Sequence, residues 1–196
     1  KALYKLFDTS DNDVDHVIEI TFPADSAFAG AITRVSFNGN TLTANQYTVD
    51  TTNNNKVTLH PGNGDNAYLR TPATGDVAIT ATGYEDSTVS QTITAGAATG
   101  LTVTTQPVPG STSGNAFATQ PVVTLKDQYG NTCSDGPSTI ADIVATGKAG
   151  TGSWIIGGTT TKTSSAGVAA FTDLTCTLNS PGNGAITFTS GSLTVD

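Results

Sequence analysis

Apolar residues alternate with polar ones in short runs along the whole chain, the period of half-buried strands. Residues 16–22 place Val17, Ile18, Ile20 and Phe22 between polar neighbours and stop at Pro23. Residues 31–37 alternate with Ile32 or Val35 and Phe37 directed inward, and end at Asn38-Gly39, the residue pair of a two-residue type I′ hairpin turn. Residues 41–43 are expected to pair back. Residues 47–50 and 56–60 flank an Asn-rich turn, and residues 76–81 and 87–94 supply two further strands. Residues 25–31 alone have room for a helical turn.

The second half follows the same rule. Residues 101–107 read as a strand ended by Pro107, and residues 121–126 as a central one. Residues 141–145, 153–156, 167–174 and 184–189 complete the set. Between the halves lies Thr94 to Gly100, rich in Ala and Gly, which reads as a linker too short for free tumbling. The expected domains are residues 1–95 and 96–196, each an all-β sandwich. Limited proteolysis is expected to cut first between Thr94 and Gly100.

Composition agrees with strands. Threonine is about a fifth of the 196 residues, Met is absent, and Gly (21) and Pro (8) punctuate the apolar runs. Charged residues are 12% and the net charge is −8. That balance excludes nucleic acid as a partner, because no basic patch exists to displace counterions. It also opposes binding to anionic membranes. No run of about 18 apolar residues exists to span a bilayer. No signal peptide is visible at Lys1, so an exported chain of this kind is expected to be an internal piece of a longer protein.

Few residues invite chemistry. Asp11, Asp13 and Asp15 begin like a D-x-D-x-D calcium loop. His16 stands where such a loop needs Gly, and Phe22 where it needs a bidentate Glu, so this is no EF-hand. Two readings remain, calcium held by the three carboxylates or a solvated lead-in to the first strand, and no other cofactor is called for. His16 and His60 lie at strand ends with no partnered Ser-His-Asp spacing and read as surface residues. No pair among the acidic residues stands out as catalytic, so the chain is not expected to be an enzyme. Trp154 reads as a core plug. Tyr68 and Tyr84, beside glycine-rich loops, are the candidates for exposed rings that stack on a ligand. Lys126 beside Asp127 reads as a surface pair. Cys133 and Cys176, an even pair in a Thr-rich domain of exported character, are expected to form a disulfide. Closing that loop would contribute roughly 4 kcal/mol.

Two stretches carry family resemblances. Ile32, Val35, Asn38, Gly39 and Leu42 follow I-x-x-V-x-x-N-G-x-x-L, and Gly75, Ile79, Ala81, Gly83, Tyr84 and Asp86 follow G-x-x-x-I-x-A-x-G-Y-x-D. Over residues 14–95 the chain thereby resembles the hemoglobin-interacting domain of Shr-type surface proteins, with Phe28 where that family often carries Trp. The strand ending in Lys126, the turn Asp127-Gln128-Tyr129-Gly130-Asn131 and residues 157–175 resemble the immunoglobulin-like repeats of bacterial invasin-type adhesins and S-layer proteins. The resemblances imply two tandem immunoglobulin-like β-sandwiches in an extracellular protein of the bacterial cell wall or surface. They also imply a role in spacing or docking neighbouring domains, or like subunits in a lattice. The alternative they imply is a ligand-binding module, for a polysaccharide or for a host protein such as hemoglobin.

Overall fold

Two four-stranded antiparallel sheets build the N-terminal unit, which spans Lys1–Ala95 of the computed structural model. The structure describes residues 3–8, 12–64, 67–149, 154–178 and 184–196. Chain order in this unit is β1 (Phe7–Asp8), β2 (Ile18–Thr21), α1 (Ser26–Ala31), β3 (Ile32–Phe37), β4 (Asn40–Thr41), β5 (Tyr47–Val49), β6 (Lys56–Leu59), β7 (Ala73–Ala81) and β8 (Ser87–Ile93). One sheet runs β1-β2-β6-β5 and the other β4-β3-β7-β8. Alternation selects the core: Ile18, Ile20, Val57 and Leu59 from the first sheet, and Val35, Phe37, Val77, Ile79 and Ile93 from the second, are all buried. Each such side chain stabilises the fold by roughly 1.5–3 kcal/mol.

The local signals act as their chemistry requires. Phe37 pairs with Asn40 across Asn38 (φ 47°) and Gly39 (φ 80°), the two left-handed positions of a type I′ turn. Helix α1 starts at Asp25, whose Oδ1 accepts from the backbone N–H of Ala27 (2.8 Å) and Phe28 (3.0 Å). It ends after one turn and a half, where Ile32 turns to extended backbone and enters β3.

The C-terminal unit, Gly96–Asp196, contains β9 (Gly100–Thr105), β10 (Val122–Lys126), β11 (Asp142–Gly147), β12 (Trp154–Gly157), β13 (Thr161–Thr163), β14 (Val168–Ala170), β15 (Thr175–Leu178), β16 (Ile186–Ser190) and β17 (Leu193–Val195). Its sheets run β14-β10-β9, β13-β11-β16-β17 and β12-β15, all antiparallel. Val123, Leu125, Ile143, Ala169, Phe171, Leu174 and Phe188 form its core. Trp154 packs against that core, tilted on Phe117 at 6.0 Å, and a Cβ at Gly184 would collide with its ring.

Three features differ from expectation. The strand expected over residues 167–174 covers only Val168–Ala170, and β1, β13, β15 and β17, two to four residues each, were not expected. The small-residue stretch read as a linker is bonded at both ends. Thr94 exchanges backbone bonds with Asn12 (2.6 Å) and Val14 (3.1 Å), Ala95 is fully buried, and the Gly96 N–H donates to Asp127 Oδ2 (3.1 Å). The disulfide is not formed: Cys133 and Cys176 are both free thiols, and both are buried. Cys133 is held against β10 by its bond to the Leu125 carbonyl, with its Sγ directed at Gly96 O (3.7 Å). Cys176 sits in β15 opposite Ile156, bonded through its backbone to Asn115 and Gly114. A backbone bond to β10 thus sets one sulfur and the β12–β15 ladder the other.

Candidate interaction sites

The acidic lead-in is folded on itself. Asp13 Oδ1 accepts from the Asp15 backbone N–H (2.9 Å) and faces His16 Nδ1 (2.7 Å). Asn12 Nδ2 donates to Asp8 Oδ2 (2.8 Å). Asp11 lies outside the described residues. Among the described residues no three His, Cys, Asp or Glu side chains converge as metal ligands. His60 Nε2 lies 3.0 Å from Thr48 Oγ1 and is not brought into contact with a carboxylate in that pairing.

Tyr84 is half-buried in an aromatic corner. Tyr4 stacks on Phe28 at 4.1 Å, and Tyr84 meets both rings edge-on, at 5.6 Å from Tyr4 and 5.2 Å from Phe28. Phe22 closes the group at 5.0 Å from Phe28. The Tyr4 hydroxyl donates to Asp25 Oδ2, so the helix cap and the corner share one carboxylate. This bond, with desolvation and the charge of Asp25 behind it, pushes the Tyr4 phenol from 10.0 up to about 12. The same bond, with the N–H donors of Phe28 and Ala27, holds the Asp25 carboxyl below its ordinary value. Around the corner Gly83 takes φ 90°, and the exposed pair Arg34–Asp86 (3.9 Å) adds little energy. Tyr84 and Phe28 were legible in sequence as motif positions; that Tyr4 and Asp25 meet them was not. Asp25 two residues after Pro23 and just before an Ala-rich run is the capping signal that finds the helix.

Tyr68 is 49% exposed and lines a shallow pocket of about 280 Å³ with Phe37, Asn38, Asn40, Ala67, Thr71 and Ala73. The two tyrosines do not make a common platform. Tyr68 precedes the nine-residue strand β7 and Tyr84 follows it. At about 3.3 Å per residue the strand sets them some 25–30 Å apart.

In the C-terminal unit the Asp127 turn is a closed polar knot. Oδ1 accepts from the N–H groups of Tyr129 (2.9 Å) and Asn131 (2.9 Å), and Oδ2 from Asn131 Nδ2 (2.8 Å) and Gly96 N (3.1 Å). Lys126 turns away to Thr132 Oγ1 (2.9 Å). Four donors on a buried carboxylate describe a structural clamp with no acceptor left over for a ligand.

Residues 6–94 match the sequence profile described as heme-binding protein Shr-like, Hb-interacting domain. That stretch holds Phe22, Asp25, Phe28 and Tyr84 of the aromatic corner and the Tyr68 pocket. No curated protein matches the chain. Among solved structures it is similar to a β-glycosidase from Bacteroides vulgatus (12% identity, TM-score 0.39). It is also similar to surface layer protein SbsC, domains 4–9 (18%, 0.35) and domains 1–6 (15%, 0.34). Each alignment covers 98% of this chain but only 24%, 29% and 26% of the other. The chain thus spans about a quarter of the length of these structures.

Proposed function

We propose that this chain is a non-catalytic interaction and spacing module of a bacterial cell-surface protein. In this reading the N-terminal unit docks a protein partner and the C-terminal unit spaces it from the next domain, both as immunoglobulin-like sandwiches. The observation that carries the reading is the match of residues 6–94 to a family named for interacting with hemoglobin. Hemoglobin is therefore the first partner to try. The aromatic corner supports the choice of face. Tyr84 and the exposed acidic residues Glu85 and Asp86 stand beside a helix whose outer side is small, with Ser26, Ala27 and Gly30 exposed. The half-buried Tyr84 ring is the feature of this face that suits a protein interface, where aromatic residues are enriched. The closed polar knot at Asp127 supports a spacer, since it holds the chain entering the C-terminal unit and offers nothing to a ligand.

The test passes hemoglobin over the immobilised full chain, with Tyr84→Ala as the comparison. Retention that weakens in the variant supports docking at the corner. No retention at any hemoglobin concentration would remove the docking half of the proposal.

A further inference from the structure

The pocket at Tyr68 lies away from the aromatic corner and has a chemistry of its own. Its apolar lining comes from Phe37, Ala67 and Ala73. One wall is the Tyr68 ring, whose hydroxyl makes no hydrogen bond among the described residues. The rim holds two amides and a hydroxyl. The Asn38 side-chain amide makes no hydrogen bond among the described residues. Asn40 donates through Nδ2 to Asn38 O (3.2 Å), which leaves its Oδ1 open to accept. Thr71 Oγ1 donates to Ala67 O (2.8 Å) and keeps acceptor capacity. Among the described residues none that lines the pocket carries a charge.

Asn38 is placed rather than loose. It holds φ 47° in the β3–β4 turn, and its backbone N–H donates to Asp76 O (2.9 Å). Its Cβ and Cγ lie across Gly75, where a side chain on β7 would collide. The amide is thus held at the rim before anything binds, which reduces the ordering cost of binding.

We infer that this pocket is a saccharide-binding site for one neutral hexose-sized residue, either free or at the end of a glycan. A pyranose has an apolar C–H face and a hydroxyl edge. An exposed tyrosine ring suits the first, and unpaired amides that donate and accept suit the second. The volume of about 280 Å³ is at the small end of ligand sites, which run from roughly 300 Å³, and fits a single ring. The described lining, amides, hydroxyls and apolar groups, suits a neutral ligand, since an ionic one would find no counter-charge among these residues. This inference does not rest on protein docking at the Tyr84 corner.

The experiment titrates the isotope-labelled full chain with methyl glycosides of glucose, galactose, mannose and N-acetylglucosamine, and with linear oligosaccharides of the same sugars. Backbone and side-chain amide resonances are followed. The expected result is shifts centred on Asn38, Asn40 and Tyr68 with at least one of the sugars. Response to a glycoside and to its oligosaccharide alike supports a one-residue site that takes a free or a terminal sugar, and response to the oligosaccharide alone would overturn the one-residue site. Tyr68→Ala should weaken binding about tenfold or more, the equivalent of losing about 1.4 kcal/mol of ring contact. Tyr68→Phe should retain most of it, since the ring face supplies the stacking contact. Asn38→Gly keeps the left-handed turn and removes the amide, so it should weaken binding with the unfolding midpoint unchanged. Hemoglobin retention, if present, should survive Tyr68→Ala. Absence of shifts at these residues with every sugar, or binding by Tyr68→Ala as tight as the parent's, overturns the inference.

Discussion

Gly75 on β7 lies directly beneath the Asn38 side chain: a Cβ at Gly75 would stand 2.7 Å from Asn38 Cβ and 2.8 Å from its Cγ. The Asn-Gly turn and the glycine that opens the second sequence motif are thus two halves of one contact. The clash would be with atoms near the Asn38 backbone, so a rotamer change cannot relieve it. Gly75→Ala should therefore destabilise the N-terminal unit by about 1–3 kcal/mol, although Ala is ordinarily the better strand residue by roughly 0.5–1 kcal/mol. Adding Asn38→Gly should restore most of the loss. Unfolding midpoints of the two single variants and the double variant check this, and a Gly75→Ala variant as stable as the parent would show that the contact does not exist.

Asp127 collects four donors in a buried site, including the Gly96 N–H. Asp127→Ala should cost the C-terminal unit about 3 kcal/mol, because it leaves buried N–H groups without partners. Asp127→Asn should recover only part, since its NH₂ would face a donor. Peptide mapping after brief protease treatment should find residues 94–100 resistant in the parent and cut first in Asp127→Ala. Cleavage of the parent in this stretch ahead of every other site would contradict the bonded connection.

The Tyr4–Asp25 bond makes alkaline stability specific. Folding holds the Tyr4 phenol protonated, with its pKa raised from 10.0 to about 12. Its contribution is fully present below pH 10 and is lost as the pH rises toward 12. Asp25 behaves oppositely, its depressed pKa giving a contribution that is lost only in acid, below its ordinary value of 3.8. Tyr4→Phe should flatten the alkaline limb of the unfolding-midpoint profile relative to the parent. Superimposable profiles for the two proteins would reject the bond.

Both thiols should be silent in the native protein. Burial pushes the Cys176 thiol above its ordinary value, so little thiolate is available to react, and Cys133 is fully buried. Alkylating reagents should modify both only in denaturant, and reductant should leave the unfolding midpoint unchanged. A midpoint that falls on reduction would restore the disulfide.

Much of the strand pattern was legible because burial imposes a period of two. Ile18 and Ile20, Val35 and Phe37, and Val77 and Ile79 each needed only alternation and a turn signal to be assigned. The short strands β13, β15 and β17 were not, since three or four residues hold too few repeats of the period to stand out from a loop. The candidate sites divide in the same way. Tyr68 and Tyr84 could be marked by residue type and loop context, but not the separation β7 enforces between them.

By itself the sequence determined the local matters: the all-β class, the helix cap at Asp25 and the left-handed Asn38-Gly39 turn, each written in a few adjacent residues. Only the tertiary structure decided which distant residues meet, because sheet register is a property of two segments together. It placed Gly75 under Asn38, brought Tyr4 to Asp25 and Gly96 to Asp127, and held Cys133 beside β10 and Cys176 in β15 with no disulfide between them.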